Sequence, residues 1–208
     1  MVHYENLYWY FNDGLTPKIC NKIIKIGQQS KLIMARTGNF SSDKFKTLNK
    51  KQKKNLKKDR DSYVSFIDQQ WLYNLLFPYI NIANEMSGWK HQVDWAEPIQ
   101  FTKYKKNQHY TWHNDVGNGK QFESERTKGK IRKLSLVVCL SDEKDYEGGD
   151  FCFQFRNTPK ADVETTVKQI KNRGTIIVFP SYLWHTVKPV IKGTRYSLVM
   201  WVYGYPYK

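Results

Sequence analysis

The amino-acid sequence predicts an α+β fold, an antiparallel barrel or jelly roll with N-terminal helices packed outside it. Apolar residues recur at helical spacing up to about residue 90, and from Trp89 onward the period falls to two through a series of short runs. Helices followed by many short strands are the pattern of a sheet core covered by helices. A chain of 208 residues suits one domain with a sizeable core. The expected organisation is a helical part at about 1–90 and a sheet core at about 91–208, with no internal repeat.

The first helix is predicted by Thr16-Pro17, an N-cap followed by proline at the first helical position. Ile19, Ile23 and Ile26, with Cys20 and Ile24, then mark one apolar face. Lys44 to Arg60 follows, with eight Lys and one Arg against one Asp. Such like charges repel, and the stretch at about 44–60 is expected to be a solvated surface loop. Trp71, Leu72, Leu75, Leu76, Tyr79, Ile80, Ala83 and Met86 mark a second helix, which Pro78 is expected to kink or restart and Ser87-Gly88 to end. The strands expected after it are Ile99–Tyr104, His109–His113, Leu134–Leu140, Phe151–Phe155, Thr175–Phe179, His185–Val190 and Arg195–Tyr203. Gly148-Gly149 reads as a turn before Phe151, and Ile191–Thr194 as a turn that lays the last two strands side by side.

Composition narrows the function classes. Aromatic residues make up 15% of the chain, which argues against disorder. No run approaches the ~18 apolar residues of a membrane span, and Met1–Phe11 lacks the basic start and apolar stretch of a secretory signal. Cys20, Cys139 and Cys152 are odd in number and form no C-x-x-C pair, as expected of buried thiols in a reducing cytoplasm, whether of a bacterial cell or of an infected host. The glycines form neither G-x-G-x-x-G nor a Walker loop. The net charge of +15 suggests nucleic acid, but +8 of it sits in Lys44–Arg60, with a weaker basic stretch at Lys120–Lys133.

Four residues carry the chemistry. Residues i and i+2 of an extended chain point the same way, so His113 and Asp115 can face one ion while Asn114 points away. His185 adds a second imidazole. Two His and one carboxylate occupy one face of an octahedral metal and leave the opposite face open, the arrangement of non-haem Fe(II) oxygenases. Arg195, on an otherwise apolar strand, would be costly facing inward unless an anion met it. Each residue alone has an ordinary explanation: a strand histidine, a turn aspartate, a surface arginine. His3-Tyr4-Glu5 shows how easily the triplet arises by chance. Their order and combination carry the weight.

From Gln100 to Tyr203 the chain resembles the Fe(II)- and 2-oxoglutarate-dependent oxygenases of the prolyl 4-hydroxylase-like group. The resemblance rests on Tyr104, Tyr110, His113 and Asp115, on Glu147-Gly148-Gly149-Asp150-Phe151, and on His185 followed by Arg195-Tyr196-Ser197-Leu198-Val199-Met200-Trp201. It implies a double-stranded β-helix core and His113, Asp115 and His185 as iron ligands. It implies that Arg195 holds the distal carboxylate of 2-oxoglutarate, with Tyr104 and Ser135 also at the co-substrate. Tyr110 and Trp201 would line the substrate side. Fe(II), 2-oxoglutarate and O2 are the implied cofactors, with ascorbate as a candidate reductant.

Three functions remain open: a hydroxylase of a prolyl or other residue in a peptide or protein, a nucleic-acid oxidative demethylase, and a non-enzymatic jelly-roll binding module. Repair demethylases of the same superfamily carry a second arginine six residues after the first. Here that position is Trp201, which favours the first reading. A binding module has no need to keep all four residues. Oligomeric state is not legible.

Overall fold

The computed structural model describes residues 6–35, 47–116, 127–154 and 164–206. In chain order the elements are β1 (Trp9–Phe11), α1 (Pro17–Gln29), β2 (Ile33–Met34), α2 (Lys50–Asp59), β3 (Arg60–Asp61), β4 (Tyr63–Ile67) and α3 (Gln70–Met86). Then come β5 (Trp95–Ala96), β6 (Ile99–Lys105), β7 (His109–His113), β8 (Ile131–Cys139), β9 (Tyr146–Gly148) and β10 (Phe151–Gln154). The chain closes with β11 (Glu164–Thr166), β12 (Ile176–Pro180), β13 (Trp184–Val187) and β14 (Val190–Gly204).

The strands pair antiparallel in two sheets. The major sheet runs β1-β12-β8-β14-β6-β4-β2, with β5 and β9 added along β14, and the minor sheet runs β11-β10-β13-β7-β3. Period-two alternation sorts each major strand into two faces. Leu136 and Val138 of β8, Ile176 and Val178 of β12, and Leu198, Met200 and Val202 of β14 face the helices, where Cys20 and Ile23 of α1 and Leu72, Leu76 and Ile80 of α3 cover them. Val137, Cys139, Ile177 and Phe179 face the other way and pack against Phe151, Phe153 and Val187 of the minor sheet. This is the jelly-roll arrangement with helices outside, and the site sits between the sheets.

The helix termini follow the sequence. Thr16 caps α1, its hydroxyl accepting from the Ile19 N–H at 3.4 Å, and Ser87 and Gly88 close α3. Pro78 does not interrupt α3, which runs through it from Gln70 to Met86. Pro78 is exposed, so water can serve the carbonyl that loses its intrahelical donor.

Three expectations are corrected. The segment before residue 90 is not purely helical, since β1 to β4 extend both sheets from it. These strands hold two to five residues, too few for a period-two pattern to stand out. The lysine-rich stretch is not a loop where it is described: Lys50–Asp59 is helical. Asn49 and Gln52 form a reciprocal capping box at 2.9 Å in each direction, and Lys, Gln and Leu are good helix formers. Residues 44–46, Phe155 and residues 120–126 of the second basic stretch lie outside the described residues.

The third correction concerns Ile191–Thr194. It is not a turn: β14 is continuous from Val190 to Gly204, and His185 and Arg195 lie in different sheets rather than on neighbouring strands. Gly193 serves close approach within the strand. It has φ +75° and pairs with Tyr146 of β9, and a Cβ there would sit 2.0 Å from the Asp145 carbonyl oxygen.

Gly27 seats α1 on the major sheet. A Cβ at this position would lie 2.3–2.6 Å from the ring of the fully buried Phe101, which stacks on Tyr196. Gly27→Ala should gain about 1 kcal/mol of helix propensity but lose about 1–3 kcal/mol or more to overpacking. A net fall in thermal midpoint is expected. A raised midpoint would mean that α1 does not rest on Phe101.

Candidate active site

β7 and β13 pair with His113 opposite His185, and a register irregularity follows between His185 and Val187. Bulges of this kind re-aim side chains next to functional sites. The two imidazole rings lie 4.1 Å apart, centroid to centroid. The chain then carries Asp115 across to the major sheet, where its N–H donates to the Ser181 carbonyl at 2.8 Å. His113 Nε2 lies 3.9 Å from Asp115 Oδ1 and His185 Nε2 lies 3.5 Å from Oδ2, and one donor atom from each residue falls within 4.8 Å of the others.

The backbone sets the tautomers. Nδ1 of His113 lies 2.8 Å from the Thr111 carbonyl, and Nδ1 of His185 lies 2.9 Å from the Leu183 carbonyl, each two residues earlier in the chain. A carbonyl only accepts, so each Nδ1 carries a proton and Nε2 is the nitrogen turned toward the site, free to ligate an ion in the neutral ring. Burial, and then the neighbouring His185, hold the His113 pKa well below its ordinary value, so the ring is neutral near pH 7. Burial alone would favour the neutral acid at Asp115, but His185, His113 and Arg132 outweigh it and hold the carboxyl below its ordinary range. A neutral His113 and an ionised Asp115 are in the state that a divalent cation requires of its ligands. Adjacent donors on an octahedral ion with bonds of about 2.1 Å lie about 3 Å apart, so the set, whose donor atoms lie within 4.8 Å of one another, must draw in to close on a metal.

Behind the set, the Ser135 hydroxyl donates to Asp115 Oδ2 at 2.7 Å and lies 2.9 Å from Ser181 Oγ. Arg132 donates to the Asp115 carbonyl oxygen from Nη1 at 3.3 Å. Glu97 grips Arg132 on two sides, at 2.7 Å to Nε and 2.8 Å to Nη2, and accepts a further bond from the Tyr203 hydroxyl. The Arg132 guanidinium lies 4.1 Å over the Trp201 ring. Trp201 Nε1 faces the Asp115 carboxylate outside hydrogen-bonding geometry and has no partner among the described residues.

A small pocket opens at the set. Alternation on β14 brings Arg195, Ser197, Val199 and Trp201 onto its wall, and β6 adds Gln100 and Tyr104. Arg195 is 1% exposed and is the largest fully buried side chain, yet its Nε and Nη2 have no hydrogen-bond partner among the described residues. Tyr104, its register partner on β6, places its ring 5.6 Å from the guanidinium. Gly149 makes room for this side chain, since a Cβ there would lie 2.9 Å from Arg195 Cδ. A buried guanidinium that meets the Tyr146 hydroxyl but no carboxylate among the described residues is costly, and this one lines the pocket of the metal-ligating set. An anion with a carboxylate to spare meets the need of Arg195, and the donor set suits a hard or borderline divalent metal such as Fe(II).

The residues singled out in the sequence therefore divide. His113, Asp115, His185, Arg195, Tyr104, Tyr110 and Trp201 line one pocket. Ser135, expected beside the co-substrate, is not among the residues that line the pocket and bonds to Asp115 from behind. Tyr110 stacks on His113 at 3.4 Å, and burial pushes its hydroxyl up to about 12. Arg60 was missed. It lies at the end of the lysine-rich run, lines the pocket, and sits 4.4 Å over the Tyr110 ring. The sequence offers little signal for it, since β3 is too short for a period-two pattern to show; the alternation of buried Arg60, Ser62 and Val64 is visible only in the structure. Arg132 and Glu97 were missed as well, although an arginine at the start of the apolar run Ile131–Cys139 poses the same question as Arg195.

Comparison with known proteins gives consistent matches. A model of the 2OG-Fe(II) oxygenase superfamily matches residues 99–203. A PKHD-type hydroxylase of Prochlorococcus marinus (strain MIT 9515) is 26% identical over 200 residues, 92% of this chain and 78% of that protein. A PKHD-type hydroxylase of Crocosphaera subtropica is 30% identical over 109 residues, 51% of this chain but only 42% of its own length. A prolyl hydroxylase from Trichoplax adhaerens, solved with a hypoxia inducible factor peptide fragment, superimposes with a TM-score of 0.67 at 16% identity, covering 95% of this chain and 84% of that one. At that identity the likeness is one of fold.

Removing the Ser135 hydroxyl frees one oxygen of Asp115. Ser135→Ala is expected to lower Mn(II) affinity about 10–100-fold, measured by calorimetry on protein whose circular dichroism is unchanged. An unchanged affinity would show that Asp115 needs no such support.

Proposed function

The chain belongs to the 2OG-Fe(II) oxygenase superfamily, and from that premise we propose that it is a hydroxylase that uses 2-oxoglutarate and O2 to oxidise a C–H bond in a peptide or protein. A prolyl residue is the foremost candidate. The observation that carries the reading is the buried Arg195, whose Nε and Nη2 have no hydrogen-bond partner among the described residues, in the same pocket as His113, Asp115 and His185. A metal alone would not call for that cation, whereas a dicarboxylate spanning from the metal to Arg195 uses both.

The family implies Fe(II), 2-oxoglutarate and O2, which together supply the oxidising chemistry when bound. The chain's own residues position and shield it. Nε2 of His113, Nε2 of His185 and one oxygen of Asp115 would hold the iron. Arg195 would grip the far carboxylate of 2-oxoglutarate, with the Tyr104 ring against the guanidinium and Val199 closing the apolar wall. Tyr110 and Trp201 would face the substrate and keep water from the reacting centre. Ser135 and Arg132 position Asp115 from behind. Ascorbate as a reductant belongs to the same proposal.

The prolyl assignment draws on the names of the relatives and of the Trichoplax structure. It is supported by Trp201, which stands where repair demethylases of the superfamily carry a second arginine. No helix among the described residues is long and apolar enough to cross a membrane. Three buried free thiols fit the proposed location in a reducing cytoplasm, bacterial or of an infected host.

Succinate formation from 2-oxoglutarate, dependent on Fe(II) and O2, tests the activity. His113→Ala or Asp115→Ala should abolish it while the domain stays folded, and full activity in either folded variant would remove the metal assignment. Arg195→Ala should weaken 2-oxoglutarate binding to the Mn(II)-loaded protein by about 2–5 kcal/mol with little change in Mn(II) affinity. An unchanged dissociation constant would mean that another cation holds the co-substrate.

A further inference from the structure

The second feature of the sequence, its lysine-rich run, is absorbed by nothing in the proposed chemistry, yet the fold seats it beside the site. α2 ends directly in β3, and β3 pairs with β7, the strand that ends in His113. The Thr111 hydroxyl donates to the Asp59 carbonyl at 2.9 Å, and His109 Nε2 lies 3.1 Å from the Lys58 carbonyl. The next residue, Arg60, lines the pocket over Tyr110. The basic helix is thus continuous with the wall of the pocket.

Lys51, Lys54 and Lys58 are exposed and fall at i, i+3 and i+7, on one face of α2 and about 10 Å from first to last. Among the described residues none of the three has an acidic partner. The like charges do not all serve the helix. Its first turn holds no acidic residue, so Lys51 faces the positive end of the helix dipole, and lysines three and four apart repel, although Lys57 and Lys58 in the last turn are favourably placed. A capping box and the bonds to β7 hold α2 in place despite this. A solvated face would gain from interspersed acids; a stripe of one sign suits a polyanionic partner.

We propose that α2 is a docking surface for an acidic stretch of polypeptide, which flanks the residue that enters the pocket. The proposal rests on the oxygenase reading and names the class of its substrate: a protein or peptide rich in Asp and Glu beside the modified position. A polypeptide is favoured over nucleic acid by two observations. Binders of single strands stack bases on aromatic side chains beside their basic groove, and α2, Lys-Lys-Gln-Lys-Lys-Asn-Leu-Lys-Lys-Asp, carries no aromatic residue. Its exposed cations are all lysines, point charges that suit scattered carboxylates, whereas planar recognition of phosphate favours arginine.

The test uses the full chain loaded with Mn(II), with a fluorescein-labelled decaglutamate peptide and a labelled ten-residue oligothymidylate as probes in anisotropy titrations. Decaglutamate should bind the wild type, and more weakly as ionic strength rises from about 0.01 to 0.15 M. The triple variant Lys51→Glu, Lys54→Glu, Lys58→Glu should weaken it at least about tenfold. The control Lys18→Glu, Lys25→Glu, Lys31→Glu, which makes the same charge change on and just beyond α1 over the other sheet, should alter it less than about twofold. Lys→Gln at the three α2 positions, which removes charge while keeping helix formers, should give an intermediate loss. Equal losses in the α2 and control variants, an unaffected α2 variant, no decaglutamate binding by the wild type, or tighter α2-dependent binding of oligothymidylate would each overturn the proposal. 2-Oxoglutarate binding in the same samples reports separately on the oxygenase reading and should be unchanged by the α2 variants.

Discussion

Asp115 is the point where the two sheets are tied at the site. Its neighbour His113 ends a strand of the minor sheet, while its own N–H, carboxylate and carbonyl are all engaged by the major sheet or its extensions: Ser181, Ser135 and Arg132. A buried carboxylate needs such partners, since each unmet acceptor costs free energy in a dry interior. Meeting them fixes where the chain leaves β7 and therefore where His113 sits opposite His185. The Arg132–Glu97 pair extends the same constraint outward to Tyr203 at the far end of β14. Removing one member of such a buried pair leaves the other uncompensated, so the network holds its geometry as a unit.

Against this satisfied carboxylate stands an unsatisfied cation. Arg132 and Arg195 are both buried arginines on major-sheet strands, but among the described residues only Arg132 has an internal carboxylate. The difference is the distinction between scaffold and site. Arg132 is closed within the protein and stabilises the position of Asp115, whereas Arg195 is left open toward the pocket and is complete only with a ligand. β14 contributes both the apolar face that carries the helices and the polar face that carries Arg195, Ser197 and Trp201, so packing of the core and placement of the co-substrate end share one strand.

Much of this was legible in the sequence, and for a physical reason. Strand alternation is local, so His113 with Asp115 and the inward face of β14 could be read from spacing alone. β7 was read with its observed ends, and β6, β8 and β12 within three residues of theirs. Sheet membership was not legible, because it depends on pairings between distant segments. That is why the sequence suggests neighbouring strands for His185 and Arg195 and a turn at Gly193, which in the fold admits β9 to close contact. The bond of Ser135 to Asp115 was not legible for a similar reason: its partner reaches it across the sheets. Arg60 was hidden by the charge run it closes, where composition spoke of solvent and only the capping box at Asn49 and the docking of α2 on β7 turn the run into a wall of the site.

The account depends on one metal and one dicarboxylate sharing the pocket between Asp115 and Arg195. The most direct measurement is a crystal structure of the protein soaked with Mn(II) and 2-oxoglutarate, read at the manganese anomalous edge. The account predicts a single strong peak within bonding distance of His113 Nε2, His185 Nε2 and an Asp115 oxygen, with 2-oxoglutarate bound to it and its far carboxylate on the guanidinium of Arg195. A peak away from these three residues, or a 2-oxoglutarate whose far carboxylate does not meet Arg195, would contradict it.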